Sequence, residues 1–331
     1  MPAFHGLLLT KDDADIIEAC ILHAMSWCDY LYVLDTGSID ATLKIVKLLA
    51  YKDSRIHLLE SSEGPILMQS GLRGYLLNHF SWNIADGDWV FQVDSDEFYH
   101  ISPKSFVKER LKPYETGLLN LTFEFRLTKQ EVLLWYQSGS PVAMHSIAES
   151  RRYYNVLSHS EPRGLQFRSS MKWPPNIAYP YNAAHFSSAR IPVRHYPQRS
   201  PLQLQKRWAL RYILSSLADQ NWSHWQQKSW ELLLADESDQ DLFYWEQGED
   251  LPDCYLHKHA YSAGKALFKY LLHQSPLVRL LDSFRPSQSD SYKPHPLPPD
   301  INQKIKDAYQ RIDSMATSSI SPFDLLSHLD L

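Results

Sequence analysis

Cysteine is scarce: Cys20, Cys28 and Cys254 are the only three in 331 residues, an odd number with no CxxC spacing. That usage fits neither a disulfide scaffold nor a zinc ribbon, and it suits a reducing cytoplasm. Met1 to Thr10 has no basic n-region and no long apolar core, so nothing resembles a secretory leader. No run approaches the ~20 apolar residues of a membrane span. Charge of one sign is not in excess either, with 33 Lys and Arg against 38 Asp and Glu for a formal charge of -5. No chain-wide field therefore draws the protein to nucleic acid or to anionic lipid. Internal repeats and charge blocks are also missing. These absences describe a cytoplasmic protein without nucleic-acid partners or a transmembrane segment, leaving peripheral contact with the inner face of a membrane open.

What the chain does have is an ordinary globular composition, 44% hydrophobic and 21% charged, with enough length for about two domains. Aromatic residues are plentiful, and flat rings stack on sugars and bases as well as filling cores. Apolar runs at Phe4 to Leu9, Tyr30 to Leu34, Arg55 to Leu59 and Trp89 to Val93 predict strands. Between them, Asp15 to Ser26, Ala41 to Leu49 and Gly71 to Ala85 carry helical spacing. Strands alternating with helices, each strand closing in a polar turn, predict a mainly parallel sheet with helices on both faces. Gly117 to Leu127 and Ile191 to Tyr196 add strands, while residues 135 to 190 show little periodicity. From Pro201 the pattern turns helical, at 202 to 217, 222 to 235, 262 to 272 and 301 to 312. The expected division is an α/β domain at 1–200 and a mainly helical region at 201–331.

The strongest local signal is Asp94-Ser95-Asp96 at the end of an apolar strand. Residues two apart in an extended chain project to one face, so both carboxylates can enter one cleft. Two anions so close favour a hard divalent cation, Mg²⁺ or Mn²⁺, which also takes diphosphate oxygens. A D-x-D alone equally describes a solvated acidic turn; its position at a carboxyl strand end is where open α/β sheets bind ligands. Asp35-Thr36-Gly37-Ser38 ends a second strand, either as a simple turn or as a carboxylate facing base or ribose. Thr10-Lys11-Asp12-Asp13 forms a third polar strand end on the same edge. Trp208, Trp222, Trp225, Trp230 and Trp245 read as core before they read as a sugar platform, and His257-x-His259 has no companion ligands.

Three segments together, Thr10 to Glu18, Val33 to Leu43 and Asp94 to Phe98, resemble the family 2 glycosyltransferases of the GT-A fold, bacterial type. The similarity resumes at His185-Phe186 and across Arg194 to Pro201, with Gln203 and Lys206 following. The resemblance implies a GT-A, Rossmann-like sheet with a helical C-terminal extension. It also implies a metal-dependent, inverting transfer of sugar from a nucleotide-diphosphate donor to a glycan or lipid-linked hydroxyl acceptor, in cell-surface glycan synthesis.

Carried onto this chain, Thr10 and Asp13 would line the donor nucleotide, and Asp35 would contact base or ribose. Asp94 and Asp96 would form the metal-binding pair, with Asp96 the direct ligand and Asp94 nearer the ribose or an outer-sphere water. His195 would offer imidazole to the same Mn²⁺ or Mg²⁺, and Arg199 and Lys206 would neutralise the departing diphosphate. Some relatives place Glu directly after the residue matching His185, where this chain has Phe186. The general base therefore stays open among Glu161, His185, Glu149 and Glu97. A nucleotidyltransferase would carry a glycine-rich phosphate loop that Thr10 to Asp15 lacks, and a haloacid-dehalogenase-type phosphatase would carry D-x-D after its first strand. A catalytically silent nucleotide- or glycan-binding module is the alternative of a different class.

Overall fold

A computed structural model describes residues 2–60, 64–67, 71–138, 151–169, 171, 173, 179–180, 186–215, 230–246, 248–252, 263–277, 280 and 294–316. The chain begins with β1 (Phe4–Thr10), α1 (Ile17–Met25), β2 (Tyr30–Asp35), α2 (Thr42–Lys52), β3 (Ile56–Glu60) and α3 (Leu72–His79). It continues through β4 (Trp89–Asp94), β5 (Glu97–Tyr99), α4 (Pro103–Arg110), β6 (Gly117–Arg126) and α5 (Lys129–Ser138). Then follow β7 (Tyr153–Val156), β8 (Pro162–Gln166), β9 (Phe186–His195), α6 (Pro201–Leu214), β10 (Phe243–Tyr244), α7 (Ala263–Gln274) and α8 (Pro299–Ala316).

The chain packs as two compact units whose boundary does not run at a single cut near residue 200. One unit comprises residues 1–123, 156–195 and 250–296; the other comprises 124–155, 196–249 and 297–331. In the first, β3, β2, β1 and β4 lie side by side in parallel. β8 is antiparallel to β4 on one side and to the start of β6 on the other. This mixed, helix-flanked sheet, parallel from β3 through β4 and antiparallel beyond, with a helical C-terminal extension, is the GT-A or Rossmann-like arrangement expected. β1 is buried along its whole length, as a strand sandwiched between layers must be. Leu7, Leu9, Tyr32, Leu34 and Val90 from the strands pack with Leu72, Leu76 and Leu77 of α3. The helical pattern of Gly71 to Ala85 breaks after His79, continuing as a single 3-10 turn at Ser81–Asn83.

β8 and β7 fall inside the stretch that lacks periodicity in sequence. β8 reads Pro-Arg-Gly-Leu-Gln, and its Gly164 is dictated by contact: an added Cβ would lie 2.5 Å from the Phe91 ring. No helix forms over the described end of 222–235, where Trp230–Leu233 is a 3-10 turn. In the second unit Leu127, Val132, Leu204, Trp208, Trp230, Ala308 and Ile312 form one apolar cluster. Trp208, Trp230 and Trp245 are all buried, so these three rings are core, while Trp222, Trp225, Cys254, His257 and His259 lie outside the described residues. Among the described residues no helix is long and apolar enough to cross a membrane.

One consequence of this packing is a pH effect. His23, on α1, lies against the Phe98 ring with centroids 5.3 Å apart. Burial, with the nearby positive charge of Arg194, pushes its pKa down to about 4. Burial also lowers His5, although Asp88 opposes it. The folded state holds these rings neutral while the unfolded chain protonates them near pH 6.5, so unfolded chains bind more protons below that pH. Stability therefore falls as pH drops from about 6.5 toward 4. For His23 alone the loss between pH 7 and 5 is on the order of 2 kcal/mol, at ~1.4 kcal/mol per unit. Urea midpoints at the two pH values, compared between the native chain and His23→Gln, isolate it; equal pH dependence in both would remove His23 as the cause.

Candidate nucleotide site at the carboxyl ends of the strands

Register brings the three polar strand ends to one edge. Thr10 pairs with Asp35 across β1 and β2, and Leu9 pairs with Asp94 across β1 and β4. The loops that follow are interlocked by their own polar side chains. The Asp12 amide donates to Ser38 Oγ at 2.9 Å, and Asp12 Oδ1 accepts from the Ile39 amide at 2.7 Å. Lys11 Nζ donates to the Gly37 carbonyl at 2.9 Å, and the Asp13 amide to Thr42 Oγ1 at 2.8 Å. Asp12 holds φ at 54°, a left-handed conformation that aspartate tolerates better than most residues. Gly37 at φ 100° has no such freedom, since a Cβ there would lie 2.5 Å from Pro65 Cα.

The turn at Asp35 satisfies itself. Asp35 Oδ1 accepts the amides of Gly37 and Ser38 at 2.9 Å each, and Oδ2 accepts Ser38 Oγ at 2.5 Å. The simple-turn account of Asp35-Thr36-Gly37-Ser38 thus describes its side chain fully within the loop. Asp13 Oδ2 accepts from Thr10 Oγ1 at 3.2 Å, from the Lys11 amide at 3.3 Å and from Ser95 Oγ at 2.5 Å. Ser95, the central residue of the D-x-D, is thus what ties the β1 loop to the end of β4.

Asp94 and Asp96 have different partners. Asp94 Oδ1 accepts from Arg73 of α3, and Oδ2 lies 3.2 Å from Arg163 NH1 on β8. The other terminal nitrogen of Arg163 reaches Glu97 Oε1 at 2.6 Å and Glu161 Oε2 at 3.2 Å. One guanidinium with 5% side-chain exposure therefore bridges three carboxylates. Burial raises the Glu97 carboxyl above its ordinary range, and Arg163 acts against that rise. Asp96 Oδ2 instead lies 3.5 Å from His195 Nε2, because β5 and β9 are antiparallel with Glu97 opposite His195. Beneath the pair, Cys20 Sγ donates to the Asp94 carbonyl, and burial together with Asp13, Asp96 and Asp94 keeps that thiol protonated.

Glu161 stands at the start of β8 with 54% side-chain exposure, its backbone held by Asn120. His185 and Glu149 lie outside the described residues. Arg199 and Lys206 belong to the second unit. There Arg199 is buried and donates to the Tyr196 carbonyl, and Lys206 Nζ lies 2.6 Å from Asp313. Among the described residues no group of three or more His, Cys, Asp or Glu side chains is arranged to hold a metal ion. Both oxygens of Asp94 face guanidinium groups, those of Arg73 and Arg163. Arg73 and Arg163 belong to no motif in the sequence; one stands between Leu72 and Gly74 at the start of α3, the other between Pro162 and Gly164 on β8.

No protein-family model matches this chain, and no curated protein sequence does. Solved structures with partial likeness include a mannosyltransferase from Pyrobaculum calidifontis in complex with GDP-mannose and Mn²⁺, at 15% identity and TM-score 0.32 over 64% of this chain and 62% of that one. A glucosyl-3-phosphoglycerate synthase from Mycobacterium tuberculosis, in complex with phosphoglyceric acid, aligns over 37% of this chain and 44% of its own, at 21% identity and TM-score 0.25. A putative glucose-1-phosphate thymidylyltransferase from Bacillus anthracis aligns over 37% of this chain and 55% of its own, at 9% identity and TM-score 0.27. The chain thus spans less than two thirds of each of these proteins.

Proposed function

We propose that this protein is a family 2-type glycosyltransferase that moves a sugar from a nucleotide-diphosphate donor to a hydroxyl acceptor with the help of a divalent cation. The observation that carries the reading is the alignment of Thr10, Asp35 and Asp94 on one carboxyl edge, with the Asp96–His195 pair beside them. Topology favours ligand binding at that edge in open α/β sheets. Asp96 and His195 supply one carboxylate oxygen and one imidazole nitrogen, a donor set that suits Mn²⁺. Such an ion commonly takes one or two protein ligands and fills its shell with substrate phosphate and water, so the pair fits the group without a third side chain. When bound, a divalent cation stabilises negative charge on the leaving diphosphate without proton transfer.

The chain's own residues carry the remaining steps. Asp35 and Asp13, held by loop amides and hydroxyls, wall the nucleoside side and keep its edge rigid. Arg73 and Arg163 lay positive charge beside Asp94, where the diphosphate would approach, and so reduce repulsion between phosphate and the acidic strand end. Glu161 is the described candidate for accepting the acceptor's hydroxyl proton. It is exposed, and its contact with Arg163 orients one oxygen while leaving the other for a substrate.

A second reading follows from Asp94 itself. Because both of its oxygens face guanidinium groups, the site could neutralise phosphate by arginine alone, as a nucleotide-binding module without turnover. Melting temperature separates the two. Uridine or guanosine diphosphate, at about a hundred times its Kd, is expected to stabilise the protein by about 2.7 kcal/mol only with Mn²⁺ or Mg²⁺ present. An equal shift in the presence of chelator would favour the arginine-only module, and no shift under either condition would remove the nucleotide from the account.

A further inference from the structure

Helix α7, Ala263–Gln274, has large apolar side chains facing solvent. Leu267 is 44% exposed, Phe268 67%, Leu271 59% and Leu272 46%. At 100° per residue these four fall on one side of the helix. Leu277 and Leu280 just beyond it are also exposed. Single exposed leucines are unremarkable, but an apolar strip confined to one helix marks a docking surface.

The charge of the segment says what docks there. The 28 residues from Cys254 to Leu281 contain no Asp or Glu, but hold Lys258, Lys265, Lys269 and Arg279. In a chain with a formal charge of -5, this is a local inversion. Lys265 on α7 is exposed, and in the sequence Lys269 and His273 follow it at four-residue spacing. A second copy of the chain is the poorer fit: a 12-residue helix is about 18 Å long and offers roughly 200 Å² on one face. Stable protein interfaces need about 800 Å² per partner. A bilayer needs no such area, because an apolar face sinks into the headgroup boundary while flanking lysines meet anionic lipid.

We propose that α7 is a membrane-surface anchor that seats this protein on an anionic bilayer, its Leu267–Phe268–Leu271–Leu272 face in the interface and its basic row against lipid phosphates. The surface lies outside the nucleotide site, and the proposal stands whether or not sugar transfer does.

Flotation of the full chain with unilamellar vesicles tests it. At about 0.1 M salt the protein is expected to float with phosphatidylcholine vesicles carrying about 30% phosphatidylglycerol, and to stay behind with phosphatidylcholine alone. Raising the salt to about 0.5 M weakens the binding, since screening shortens the reach of the lysines. Phe268→Glu with Leu271→Glu, and separately Lys265→Glu with Lys269→Glu, each lower vesicle binding by roughly tenfold or more. The Phe268→Glu, Leu271→Glu variant keeps the native melting temperature, as both replaced groups already face water. Failure of the native chain to float with anionic vesicles overturns the proposal, as does binding that neither double variant weakens. A concentration-dependent dimer in sedimentation that Phe268→Glu dissolves, without vesicle binding, would assign the face to a second copy instead.

Discussion

Replacing Asp96 with alanine lowers metal-dependent sugar transfer by at least about a thousandfold in kcat/KM while the protein stays folded. A thousandfold is about 4 kcal/mol of transition-state stabilisation, the size expected when a group that positions charge against a leaving group is lost. Asp96 lies 3.5 Å from His195, the pair proposed above to hold the cation, so its loss is expected to fall on cation binding. Removing one carboxylate from beside Asp94 and Glu97 also relieves like-charge repulsion, so the variant is expected to keep its fold. Asp94→Ala has the opposite profile. It leaves Arg73 and Arg163 facing each other without their shared anion, so it lowers the melting temperature. Native turnover in well-folded Asp96→Ala would reject the assignment, and an Asp94→Ala protein as stable as the native one would reject the division of labour between the two acids.

The sheet was legible because parallel strands buried on both faces write continuous apolar runs, as β1, β2 and β4 do, while β3, last in the strand order and only half-buried, still carries Ile56, Leu58 and Leu59. The edge they form was legible for the same reason: each run ends abruptly in polar residues, and parallel pairing puts those ends side by side. β8 was not, since Pro162, Arg163 and Gly164 are poor strand formers and its partner β4 lies some seventy residues earlier. Its conformation is imposed by the sheet it joins, through the contact of Gly164 with Phe91, and not by local propensity. That gap hid Arg163, and with it the fact that the D-x-D is buttressed by guanidinium groups. Asp35 illustrates the other limit. Its position was readable, but only the loop geometry reveals that its oxygens are already occupied by Gly37 and Ser38. Composition likewise pointed to aromatic abundance without distinguishing platform from core, and three of the five tryptophans considered are core.

Arg163 is where stability and function meet. Arg163→Ala is expected to cost about 3–5 kcal/mol, because breaking a buried ion pair from one side leaves the remaining charge without compensation. Glu97 bears most of that cost: it is buried, and Arg163 NH2 at 2.6 Å is what opposes the rise in its pKa. Without the arginine the carboxyl takes up a proton more readily, so the variant's stability becomes more favourable at mildly acidic pH than at neutral pH, opposite in sign to the effect of His23. Pairing the change with Glu97→Gln removes the stranded charge, so the double variant should be less destabilised than the sum of the singles by 1 kcal/mol or more, measured as a coupling energy from urea unfolding. Arg163→Lys keeps a charge but loses the fork that reaches Asp94, Glu97 and Glu161 together, so it restores only part of the stability. A purely structural arginine would leave nucleotide affinity intact once Glu97→Gln restores the fold. If Arg163 also meets the diphosphate, the stabilised double variant still binds nucleotide diphosphate more weakly than the native chain, and equal affinity in the two proteins would confine Arg163 to holding the strand end in place.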